Sequence, residues 1–143
     1  MPEQASVLVV AHQTAATPGL LEAVHERAGR GPAKFHLVVP RMPHGMHKVV
    51  DPQDTGEDDA TQVLADALPK LSQAAGAEVT GSLGDAEPLM AIQDAINLGH
   101  YDEIIISTLP ARFSKWLGRD APTRIAKMTE VPVTHLEAAN VRV

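Results

Sequence analysis

Short apolar, β-branched runs alternate along the chain with stretches whose apolar residues recur at helical spacing, and that alternation leaves few folds open. SVLVVA (Ser6 to Ala11) is a short apolar, β-branched run, suited to a strand buried on both faces, and FHLVV (Phe35 to Val39) reads as a second strand. Glu103 to Ser107, with Ile104, Ile105 and Ile106 at its centre, and Val131 to Leu136 read the same way; Ala77 to Leu83 is a weaker third strand. Between the first two, Thr17-Pro18 supplies an N-cap followed by proline at the first helical position. Leu20, Leu21, Val24 and Ala28 then mark a helix that Gly29-Arg30-Gly31-Pro32 stops. Ala60, Val63, Leu64, Ala67, Leu68, Leu71 and Ala75 form the apolar face of a long helix, which Pro69 is expected to kink or split. Gly84-Asp85 offers a turn and an N-cap for a third helix striped by Leu89, Ile92 and Ile96 and ending at Gly99. A last helix is expected over about Asp120 to Thr129.

The resulting order is β-α-β-α-β-α-β-α-β. Strict alternation implies parallel strands joined by right-handed crossovers, with helices on both faces. Five strands and four helices in 143 residues fit a single α/β domain, 1–143, with flavodoxin-like layering. Ligands of such sheets bind beyond the carboxyl ends of the strands, where the strand order reverses. With strand one at the centre, that crevice lies between the loops after strands one and four.

Composition narrows the partners. The formal net charge is -6 and aromatic residues make up 3%, which argues against a nucleic-acid backbone or stacked bases as the main partner. There is no cysteine, so disulfides and thiolate chemistry are excluded. No apolar run approaches the roughly 20 residues of a membrane span. The N-terminal MPEQASVLVV has no basic flank and no small-residue cleavage site, and the expectation is a soluble cytoplasmic protein. Charge is uneven. Asp51 to Asp66 carries six acidic residues and no Lys or Arg, whereas Arg112 to Lys127 carries five basic residues against Asp120. That pattern permits one basic mouth on an acidic protein, or two solvated helix faces.

The loop after strand four is the first candidate site. Ser107 and Thr108 stand at the strand end, with Arg112, Lys115 and Arg119 close enough in sequence to neutralise an anion there. Leu109-Pro110 replaces the glycines that let a backbone wrap a phosphate, and Phe113, Trp116 and Leu117 also suit simple packing of the loop. The loop after strand one offers His12, Gln13 and Thr14, polar groups for a base or ribose or for hydrogen bonds within the loop. His44 and His47, with Asp51, Asp54 and Asp58 downstream, have acceptable zinc spacing but no third ligand at helical spacing, and a polar acidic loop is the favoured reading; no metal is assigned. His25, His36, His100 and His135 read as isolated surface or internally satisfied positions. GxSxG, GxxxxGK[ST] and GxGxxG are all absent.

With these blocks in view, VLVVAHQT, GDAEPLMAIQDAI, YDEIIIST and VPVTHLE, in that order over nearly the whole chain, resemble the universal stress protein family. STLPARFSKWLGRDAPTRI, followed by a Pro-Val-Thr-His strand, resembles a branch of short bacterial members with a Ser-Thr-Leu-Pro loop. The resemblance implies an adenine-nucleotide-hydrolase-like three-layer sandwich around a five-stranded parallel sheet of order 3-2-1-4-5. Nucleotide-binding members carry an Asp at the end of strand one and GxxGx9G[ST] after strand four. Here His12 takes the Asp position, Ser107 and Pro110 take those of the first two glycines, and no Gly-Ser or Gly-Thr pair follows near Gly118 to Asp120. ATP or AMP, a different phosphorylated ligand held by Arg112, Lys115 and Arg119, or no nucleotide all stay open.

On the resemblance, an adenine pocket is expected near His12, Val38 and Val39, with phosphates towards Thr108 and Arg112. A homodimer is expected through the last strand (Val131, Val133, His135), since an edge strand with few charges is a pairing surface. The expected role is a non-catalytic stress-response protein. The alternatives are a protein-interaction module docking through Trp116 and, ranked last, a hydrolase using His12 or Ser107-Thr108. The hydrolase ranks last because no nucleophile with a base beside it is visible in the sequence.

Overall fold

The computed structural model describes residues 5–11, 15, 17–41, 57–85, 87–108 and 121–137. Five strands, β1 (Ala5–Val10), β2 (Ala33–Pro40), β3 (Thr80–Gly84), β4 (Glu103–Thr108) and β5 (Val133–Glu137), form one parallel sheet of order β3-β2-β1-β4-β5. Four helices alternate with them: α1 (Pro18–Gly29), α2 (Glu57–Ala75), α3 (Pro88–Leu98) and α4 (Ala121–Met128). The α/β class, the all-parallel pairing and the strand order agree with the expectation.

Side-chain alternation along β1 shows why both faces are covered. Val7 and Val9 join Leu20, Val24, Phe35, Leu37, Ala67 and Leu71 in a core between the sheet and α1 and α2. Leu8 and Val10 turn the other way, to Leu89, Ile92, Ile104, Ile106 and Ile125 beneath α3 and α4. A strand whose alternate residues enter different cores must be apolar along the buried stretch, and Val7 to Val10 is.

Local signals mostly place the helices. Thr17 is the N-cap of α1 with Pro18 behind it, although its side chain makes no capping hydrogen bond. Gly76 ends α2 in the left-handed conformation (φ 74°), where glycine carries no Cβ penalty, and its N–H bonds back to the Ser72 carbonyl at 2.9 Å.

One expectation is resolved in part and one is corrected. Pro69 lies inside α2, which runs from Glu57 to Ala75, so of the kink or split expected the split does not occur. A proline in a helix interior costs about 3 kcal/mol. Leu71, fully buried, contributes about 1.5–3 kcal/mol, and Ala60 and Ala67 on the same face carry the packing on both sides of the proline. The N-cap of α3 is Glu87 rather than Asp85, whose carboxylate instead accepts the Glu87 N–H at 2.9 Å.

Candidate functional site

β1 pairs with β2 on one side and β4 on the other, so connections leaving its carboxyl end and that of β4 run in opposite directions. That divergence is the switch point of the sheet. The β1–β4 register ends at Val10 opposite Ile106, which sets positions 11 and 107 side by side on one rim. Ala11 is fully buried there and donates its N–H to the Val38 carbonyl at 3.3 Å. Ser107 is 2% exposed, a buried polar residue at the strand end, and Thr108 closes β4 beside Glu137 of β5.

Val38 and Val39 lie on this rim as strand residues, but their side chains enter the two opposite cores. Neither valine side chain is therefore free to line the crevice. His12, Gln13, Thr14, Arg112, Lys115 and Arg119 lie outside the described residues, as do Trp116 and the His44–Asp54 loop. Arg41 is a rim cation that the sequence reading passed over. Its backbone N–H and its Nε donate to the Gly84 carbonyl at 3.1 and 3.3 Å. The signal was a basic residue directly after Pro40, hidden because it opens a polar loop. Nearby, Arg124 of α4 approaches Glu87 at 4.0 Å and links the starts of α3 and α4.

The opposite, amino end of the sheet is also polar. Ser6 donates its N–H to the Asp102 carboxylate at 2.8 Å and accepts the Asp102 N–H at 2.7 Å, while His100 Nε2 lies 3.2 Å from the other carboxylate oxygen. Arg27 in the last turn of α1 reaches Glu103 at the start of β4, at 2.6 Å. Beside them His36 Nδ1 lies 2.8 Å from Thr80 Oγ1, and Nε2 lies 3.0 Å from Ser82 Oγ. The reading of His36 and His100 as satisfied positions holds. Among the described residues no group of three His, Asp or Glu side chains is placed to hold a metal ion.

The Ser6 N–H, with help from His100, holds the Asp102 carboxyl below the usual carboxylate range. A carboxyl with a depressed folded-state pKa contributes stability above its unfolded value, about 4, and loses it as pH falls through the folded value. Thermal melts of wild type and Asp102→Asn should therefore differ most above about pH 5 and converge as pH falls below about 4. A difference independent of pH would assign the effect of Asp102 to shape rather than charge.

No family model matches the sequence, and no curated protein matches it. Solved structures do. A universal stress protein from Archaeoglobus fulgidus in complex with dAMP is 19% identical with a TM-score of 0.63, over 96% of this chain and 100% of that one. A universal stress protein from Lactobacillus plantarum is 13% identical with a TM-score of 0.64, over 95% and 100%. The chain has the universal stress protein fold. An Arabidopsis thaliana family protein with AMP bound is 15% identical with a TM-score of 0.60, over 92% and 91%. Among the described residues, no helix of this universal-stress-protein-like chain is long and apolar enough to cross a membrane.

Proposed function

We propose that the chain is a non-catalytic universal stress protein that binds an adenine nucleotide, ATP or AMP, or another small phosphorylated ligand across the carboxyl ends of β1 and β4. The observation that carries this reading is the switch point itself. Positions 11 and 107 share one rim, with Ser107 at the end of β4 and the loops carrying His12 to Thr14 and Arg112 to Arg119 leaving from either side. The dAMP and AMP complexes of proteins with the same fold support it. In this reading Thr108 and Arg112 face the phosphates, Lys115 and Arg119 add charge, and the base lies near His12, Val38 and Val39.

A thermal-shift series with ATP, AMP, cAMP and a phosphosugar tests it. A ligand at a hundred times its dissociation constant adds about 2.7 kcal/mol to stability, a clear upward shift. A well-folded sample whose melting temperature responds to none of them removes ligand binding and leaves the protein-interaction reading.

The same proposal includes a homodimer. β5 is an edge strand on which Val133, Thr134 and His135 are all exposed, Val133 at 38% despite being apolar. An apolar edge of this kind, without lysines to blunt it, favours pairing with a second copy. Val131, named with them from sequence, precedes the strand and packs partly buried against the α3–α4 core.

A further inference from the structure

We infer that Ser82 is a reactive serine, activated by His36, that accepts one acyl group per chain from an activated acyl ester. This inference does not rest on the nucleotide reading and concerns a different part of the sheet.

The β2–β3 register sets His36 opposite Thr80 and Val38 opposite Ser82. His36, Thr80 and Ser82 share one face, and the imidazole bridges both hydroxyls, at 2.8 Å from Thr80 Oγ1 and 3.0 Å from Ser82 Oγ. Thr80 Oγ1 donates its own hydrogen to the Phe35 carbonyl at 3.5 Å. With its hydrogen placed there, its lone pairs accept from His36 Nδ1–H in the tautomer that leaves Nε2 unprotonated. In that tautomer Nε2 accepts the hydrogen of Ser82. The chain Ser82 to His36 to Thr80 to Phe35 then runs in one direction. It reproduces nucleophile, base and orienting group within hydrogen-bond reach of one another.

Two further observations suit the chemistry. Ser82 is exposed, so an ester reaches Oγ without rearrangement. His36 is half-buried, and desolvation keeps its affinity for a proton below that of an ordinary histidine. At neutral pH the ring therefore carries the free lone pair a base needs. His36 also lines a cleft of about 370 Å³ with Lys34, Glu78, Thr80, His100 and Tyr101, the charged and titratable groups that face it.

Ser82 Oγ bonds to the carbonyl carbon while its proton passes to His36 Nε2. The bond from that carbon to the leaving phenoxide breaks, and the phenoxide takes the proton from Nε2. The products are neutral imidazole, a phenol and an acyl ester on Ser82.

The full chain is incubated with p-nitrophenyl acetate and the adduct mapped by peptide mass spectrometry. One acetyl group on Ser82 is expected, absent in Ser82→Ala. General-base help is worth about 10²–10⁴-fold in enzymes; with a neutral threonine as orienting group, His36→Gln is expected to slow labelling at least ~10-fold. The wild-type rate should rise with pH and level off above a midpoint lower than the ordinary histidine value of about 6.5. Thr80→Val should slow labelling and move that midpoint lower still, because Nδ1–H loses its acceptor; a merely structural role would leave the midpoint in place. Acetyl groups confined to lysines and the amino terminus, or Ser82 labelling at an unchanged rate in a folded His36→Gln protein, would overturn the inference.

Discussion

Gly84→Val is expected to lower the melting temperature by roughly 10 °C, from an overpacking cost of about 3 kcal/mol. A Cβ at Gly84 would stand 2.7 Å from Val38 Cγ1 and 2.8 Å from Ala91 Cβ. Neither neighbour yields easily. Ala91 Cβ is fixed to the α3 backbone, and Val38 is a buried, β-branched residue between two strands. Relief requires α3 to lift from the sheet, opening the core around Leu89 and Ile92. Gly29→Ala is the natural control, because nothing lies within 4 Å of its added methyl group and alanine is the better helix former. It should be neutral or slightly stabilising. Gly84→Val melting within a degree or two of wild type would show that α3 is not held this closely.

The second large effect is expected in assembly. Val133→Lys should convert the proposed homodimer to monomer, read by sedimentation velocity across a concentration series. Two symmetry-related copies would each place an ammonium group on the pairing edge. A total cost of about 4 kcal/mol corresponds to a roughly thousand-fold weaker dissociation constant. The substitution lies on an exposed position of an edge strand, so the subunit itself should melt near the wild-type temperature. A wild-type protein that sediments as a monomer throughout, or a Val133→Lys protein that remains dimeric, removes β5 as the interface.

The strands that were legible from sequence are those whose residues meet both cores. SVLVVA, FHLVV and EIIIS announce themselves because most of their positions are buried and apolar, and the assigned strands differ from those runs by a few terminal residues. β3 was harder, expected over 77–83 and observed at Thr80–Gly84. TGSLG has little strand character of its own. Gly81 faces Leu64 and Leu68 of α2 while Gly84 faces Ala91 of α3, so the strand is defined by what closes over it from either side. Pro69 leaves α2 unsplit for a related reason: a local penalty visible in the sequence is outweighed by packing that is not.

The candidate site divides in the same way. That the ends of strands one and four share a rim followed from alternation and strand order, and the pairing of Val10 with Ile106 bears it out. Arg41 was hidden by its position at the mouth of a polar loop. The contact of His36 with Ser82 joins residues 46 apart, through a register no local pattern encodes. For that reason the sequence displayed neither a nucleophile nor a base beside it.

The central position of the first strand has a consequence for synthesis. Its hydrogen-bonded neighbour on one side, β4, lies 96 residues further along the chain, as the Ser6–Asp102 contact measures. A nascent chain that has emerged through β3 can assemble β1, β2 and β3, yet it leaves one flank of an apolar strand with no partner until β4 follows. Such non-local parallel pairing is slow, and exposed strand edges invite aggregation. Truncations ending before residue 103 should therefore need a chaperone to stay soluble, whereas chains extended past β4 should not.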